Sequence, residues 1–197
     1  MMKPVSFTAA LALSAAIVAC TAVDAQNDAI GPTYTSAGEL ERPENWREWV
    51  YIGTPLTPNA LNGGEAPFPE FHSVYIDPAS FDHWQETGEF REGTMLAKEL
   101  ALVISEDAHE DGSTDQVSGR GYFMGELQGL EIALKDTIRF PDEPGGWSYF
   151  SFGHQPEPYA QTAAAFPTET CNACHEASAD HDWVFTQFYP VLRATRP

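Results

Sequence analysis

The most specific chemistry in the chain lies in five residues near its end, Cys171-Asn172-Ala173-Cys174-His175. Two thiols at C-x-x-C spacing can each add across a haem vinyl group, and the adjacent imidazole can then reach the iron. The same spacing also serves a disulfide or a redox dithiol. Only one other cysteine exists, Cys20, and it lies in an apolar N-terminal run. Zinc would require a second Cys/His pair at matching spacing, and none follows. The motif therefore favours covalently bound haem c, with Cys171 and Cys174 forming thioethers and His175 binding the iron.

A second candidate is a lysine. Once Lys3 is set aside, only Lys98 and Lys135 remain. In Thr94-Met95-Leu96-Ala97-Lys98-Glu99-Leu100-Ala101-Leu102 a strand places alternate residues on one face. Lys98 would then share a face with Leu96, Leu100 and Leu102. One reading is an edge lysine that snorkels to solvent, or a register slip at a bulge. The other is a buried amine available as a nucleophile.

The elements that must position these groups read mainly as β. Val50-Tyr51-Ile52-Gly53, Phe71 to Ile76, Thr94 to Ile104, Tyr122 to Leu127 and Trp147 to Phe152 are strand-like. The segment from Leu127 to Asp136 suits a short helix or a further strand. Short helices fit Pro43 to Trp49 and Phe81 to Thr87, the latter capped from Asp77-Pro78-Ala79-Ser80. Thr54 to Pro69 reads as loop, Ser105 to Gly121 as an acidic, mobile hairpin loop, and Pro141 to Gly146 as a turn. The fold class is mainly β (α+β), an antiparallel sheet with a few short helices around one covalent haem. The long amphipathic helices of a four-helix haem bundle are absent from the sequence.

The chain has 197 residues, enough for one domain. Its 10 Lys and Arg face 29 Asp and Glu, a formal charge of −19. That excludes the basic footprint of a nucleic-acid binder and disfavours docking on anionic lipid. It suits a basic protein partner. Hydrophobic residues make up 43% and aromatics 12%, which argues against wholesale disorder. Residues 1–25 read as a secretory signal, with Lys3 followed by the apolar run Phe7 to Ala19. Two processing routes fit: cleavage after Val23-Asp24-Ala25, or a lipobox at Ile17-Val18-Ala19-Cys20 that leaves Cys20 lipidated. Either route predicts a periplasmic protein, soluble or lipid-anchored. Residues 26–43 read as a flexible lead-in and 44–197 as the haem domain.

Several stretches together resemble the cytochrome P-460 family, which includes the β-type cytochromes c′. They are Trp46 to Thr54, Phe71 to Pro78, Gly93 to Glu99, Gly121-Tyr122-Phe123, Arg139 to Pro144, Trp147 to Gly153, the haem motif, and Val184 to Arg193. The resemblance implies an antiparallel β-rich fold, usually a homodimer, with thioethers at Cys171 and Cys174 and His175 as proximal ligand. In the enzyme branch a lysine nitrogen is linked to a haem meso carbon, and Lys98 matches that lysine. The implied activity is oxidation of hydroxylamine to nitrous oxide, with electrons leaving to an acceptor such as a basic cytochrome c. The alternatives are a nitric-oxide-binding β-type cytochrome c′ without turnover, and an electron carrier. Proton removal calls for a base. Glu169 is the expected distal base, with Glu157 and His154 also in view. Ala160 to Phe166, a candidate lining of the distal side, contains no acid. His72 and His83 read as surface or half-buried, His109 as solvated in the acidic loop, His181 as part of a surface cluster with Asp180 and Asp182, with a place near the haem edge as the alternative by resemblance, and Met95 and Met124 as core.

Overall fold

The computed structural model describes residues 31–197. The expected signal segment and Cys20 lie outside the described residues. Nine strands form one main sheet and two small ribbons. β1 is Leu40–Glu41, β2 Val50–Gly53, β3 Phe71–Ile76, β4 Met95–Val103, β5 Thr114–Gln116, β6 Gly119–Gly121, β7 Met124–Lys135, β8 Trp147–Ser151 and β9 Thr162–Ala163. Three short helices accompany them: α1 Pro78–Thr87, α2 Thr168–Ser178 and α3 Pro190–Thr195. The main sheet has the order β2-β3-β4-β7-β8, and every neighbouring pair is antiparallel. The mainly antiparallel sheet with a few helices is therefore present. Among the described residues, no helix is long and apolar enough to cross a membrane.

Cross-strand register sorts the sheet into two faces. One row, Tyr75–Ala97–Ile132–Phe150, faces a core that includes Leu40, Trp46, Trp49, Met95, Leu134 and Tyr159. The next row, Ile76–Leu96–Ala133–Tyr149, faces a second core with Trp84, Phe90, Trp147, Val184 and Leu192. With both faces of the central strands buried, the apolar run in β4 is nearly continuous. The ambiguous stretch Leu127 to Asp136 is the C-terminal half of β7, whose pairing with both β4 and β8 settles it as strand.

Three details differ from the sequence reading. Leu40, in the expected lead-in, is fully buried, because β1 pairs with β9 and Tyr34 donates to Asp136 Oδ2 at 2.9 Å. The Ser105 to Gly121 loop contains the β5–β6 ribbon, tied by Arg120 to Asp111 at 2.8 Å. Met124 is 47% exposed rather than core, since it sits where β7 and β4 lose their regular register, while Met95 is buried as expected.

Asp77 is a structural node. Its fully buried carboxylate accepts from Ser80 N at 2.9 Å, capping α1, and from Met95 N at 2.9 Å at the start of β4. Arg91 Nη2 lies 3.3 Å away. Replacing it leaves two buried donors and a guanidinium without their acceptor. Asp77→Ala should therefore lower unfolding free energy by about 3 kcal/mol, measured by denaturant titration. A loss under about 1 kcal/mol, the range of an ordinary exposed cap, would contradict this role.

Candidate functional site

Helix α2 carries the C-x-x-C-H motif. Cys171 and Cys174 are three residues apart, so both thiols lie on neighbouring positions of one helix face. Glu143, in the turn before β8, anchors the helix start: it accepts from Thr168 Oγ1 at 2.8 Å and from Asn172 Nδ2 at 2.7 Å. Asn172 is buried, which presses α2 against β8. Cys171 packs on the second core and Cys174 is exposed; both are free thiols. Burial pushes the Cys171 thiol pKa up.

The His175 ring sits between Tyr149 and Phe185, with centroid separations of 4.5 and 4.7 Å. Its Nδ1 lies 2.7 Å from the Trp183 carbonyl oxygen. A carbonyl can only accept, so Nδ1 carries the proton and Nε2 keeps its lone pair for a metal. Burial lowers the His175 pKa, with the Trp183 carbonyl opposing, and so favours the neutral, ligating form. The neighbouring Tyr149 hydroxyl and Trp183 Nε1 are buried without partners. Paired thiols, an oriented neutral imidazole and orphaned polar atoms beside it fit a covalently held haem.

Lys98 lies on the same sheet face. It belongs to the row Val74–Lys98–Glu131–Ser151, two residues along each strand from the Ile76–Leu96–Ala133–Tyr149 row. Its Nζ is 2.5 Å from Glu131 Oε2 and 4.7 Å from the centre of the Phe68 ring. The side chain is 27% exposed, between the two sequence readings, and its ammonium meets a carboxylate. Leu96 and Leu100 are buried as the alternation predicts. Leu102 is 38% exposed, because register shifts on either side of Ala101 break the alternation. Charges on Lys98 and Glu131 bear on the protonation of both Cys171 and His175, so the lysine and the motif share one electrostatic environment.

The other candidates separate. Glu169 is exposed in the first turn of α2. Glu157 pairs with Arg47, which also binds the buried Glu99, and this cluster lies on the opposite sheet face from Lys98. His154 Nε2 lies 2.8 Å from Glu70 Oε1. Ala163, in the segment from Ala160 to Phe166, is buried in the core on that opposite face. His181 does not belong to a surface cluster: its ring packs on Trp84 at 5.6 Å and Phe90 at 6.0 Å. Glu131 is the acid that sequence reasoning missed. Its signal was the strand alternation of β7, invisible while that segment read equally well as helix.

A family model for cytochrome P-460 matches residues 43–186, from the lead-in boundary through the haem motif. The chain belongs to the cytochrome P-460 family of haem cytochromes. A comparison with curated proteins matched none of them.

The Lys98 environment also predicts a pH effect. His72 lies on the same face, its ring 5.9 Å from that of Phe68 and its Nε2 buried without a partner. Burial first, then the Lys98 charge, push its pKa from 6.5 down to about 4, against the opposing Glu70 and Glu131 carboxylates and the Phe68 carbonyl. Between those values the unfolded chain holds a proton that the folded chain does not. The contribution is complete above pH 6.5 and is lost as pH falls toward 4. Relative to His72→Gln, the parent should lose up to about 3 kcal/mol of stability between neutral pH and pH 4 in denaturant titrations. Identical pH profiles for the two proteins would mean that the ring is solvated.

Proposed function

We propose that this protein is an exported haem enzyme that oxidises hydroxylamine to nitrous oxide, with its haem c held by Cys171, Cys174 and His175 and crosslinked through Lys98. The observation that carries the reading is the 2.5 Å contact of Lys98 Nζ with Glu131, on the sheet face that also receives the haem motif. When bound, the haem supplies the redox centre and the open coordination position. The protein residues hold it and manage protons.

Cys171 and Cys174 would hold the haem through thioethers, whose formation by thiol addition across vinyl groups involves no net redox change. The lysine link is different. A Lys98–haem C–N bond in place of a C–H bond would release two protons and two electrons, so its formation would require a two-electron oxidant such as a peroxide, itself reduced to water. Lys98 must first lose its extra proton to become a nucleophile, and Glu131 is placed to take it. Once Lys98 is linked, the same carboxylate is free to serve substrate. Two hydroxylamines yield one nitrous oxide and one water with release of four protons and four electrons, so a nearby proton acceptor is needed throughout. Glu131, paired with Lys98, is better placed for this than Glu169, which is exposed in the first turn of α2. The formal charge of −19 supports a basic cytochrome c as electron acceptor. A periplasmic location and a homodimer complete the proposal.

The absorption spectrum of the dithionite-reduced protein is the direct test. The parent should show a strongly red-shifted Soret band, and Lys98→Ala an ordinary ferrous c-type band. Lys98→Ala should keep thioether attachment while hydroxylamine oxidation falls at least about 100-fold, and Glu131→Gln should lose about 100-fold or more with haem retained. An ordinary Soret band in the parent would replace this reading with that of a nitric-oxide-binding protein whose Lys98 stays paired with Glu131.

A further inference from the structure

We infer that Lys135 and Asp182 are positioning residues for the axial imidazole: their ion pair holds the Trp183 carbonyl on His175 Nδ1 and thereby tunes the iron. The inference rests on the haem reading above.

Lys135 ends β7 and is fixed by its register against Trp147 on β8. Its Nζ lies 2.6 Å from Asp182 Oδ2, with the two side chains 17% and 16% exposed. It also approaches the Trp147 ring, 6.0 Å from the centroid. Such a shielded pair is screened less by water and salt than a surface pair. One end is anchored in the sheet and the other in the loop that carries the acceptor for His175.

That loop is held in an unfavourable backbone shape. Asp182 and Trp183 are consecutive non-glycine residues in the left-handed region, at φ 45° and 57°. Such conformations cost on the order of 1 kcal/mol per residue and persist only when surroundings impose them. Here the turn closes through Val184 N to the His181 carbonyl at 2.8 Å, and the His181 ring is wedged against Trp84 and Phe90. The Trp183 indole lies so close over Gly145 that a Cβ there would come within 2.4 Å of the ring. Lys135 adds a charge-assisted tie from the sheet to Asp182, the residue immediately before Trp183.

The consequence is chemical as well as structural. A carbonyl that accepts a hydrogen bond from Nδ1–H raises the electron density of a metal-bound imidazole and strengthens its donation. Stronger donation favours the ferric state. Releasing Asp182 lets the loop relax, lengthens the Nδ1 contact and weakens that donation.

The test uses the haem-loaded protein and two readouts, the ferrous iron–histidine stretching band in resonance Raman and the reduction potential. Lys135→Met and Asp182→Asn should both move the band to lower frequency and the potential to more positive values. Lys135→Arg, which keeps the charge and reach, should stay near the parent on both. Arg120→Met removes the exposed Arg120–Asp111 pair and should move neither. If Lys135→Met fails to accumulate, the near-isosteric Asp182→Asn carries the same readouts. Variants that keep their haem but match the parent in band and potential would overturn the inference and leave the pair a plain structural tie. A parent with no thioether haem or no iron–histidine band would instead overturn the haem reading, and this inference with it.

Discussion

Lys98 and Glu99 are consecutive charges in the central strand of a sheet buried on both faces, and each requires its own partner. Strand geometry sends them to opposite sides. Lys98 meets Glu131 on one face; Glu99, 4% exposed, meets Arg47 at 2.5 Å on the other. A slip of one residue would drive the ammonium toward the core of Leu130, Ile132 and Phe150, and the carboxylate toward Glu131. The penalty for an unpaired buried charge, several kcal/mol, therefore pins the register. Everything on the Lys98 side of the sheet inherits its position from that pairing, because β3 and β7 are paired to β4 on either side.

Local patterns explain what was legible beforehand. The strands at Val50–Gly53 and Phe71–Ile76 appear with the limits their branched and aromatic residues suggest, and Asp77 caps the helix that follows. The haem motif needs no tertiary information, since its three functional residues lie within five positions. Glu131 is different. Only the β4–β7 register places it opposite Lys98, and register depends on residues more than thirty positions apart. The same holds for the Trp183 carbonyl on His175: a backbone acceptor has no side-chain signature, and the left-handed pair that aims it contains no glycine. The burial of Leu40 was hidden for a related reason, because one leucine in a polar stretch declares itself only when β9 supplies the partner strand.

The two halves of the site use opposite construction. On the imidazole side rigidity comes from packing: a ring between two rings, a helix start clasped by Glu143, a loop pressed on a glycine. On the lysine side the parts come from separate strands, and order comes from a charge pair and a phenyl ring over an ammonium. Packing suits a ligand that must keep one tautomer and one orientation. A charge pair suits groups that must exchange a proton, because the transfer changes the charges of both without moving either backbone.

Scarcity of cations sharpens this division. Acids outnumber bases 29 to 10, so a shielded lysine is a large local exception to the field of the chain. Both lysines among the described residues project from the same sheet face: Lys98 lies opposite Glu131, and Lys135 is four residues along β7 from that glutamate. Each is matched to one carboxylate, while the chain as a whole remains strongly acidic. A small uncharged substrate is little affected by that exterior. A basic protein is drawn to it from a distance of about one Debye length. The proposed basic electron acceptor would thus be steered to the surface, while the proposed neutral substrate would meet no electrostatic barrier.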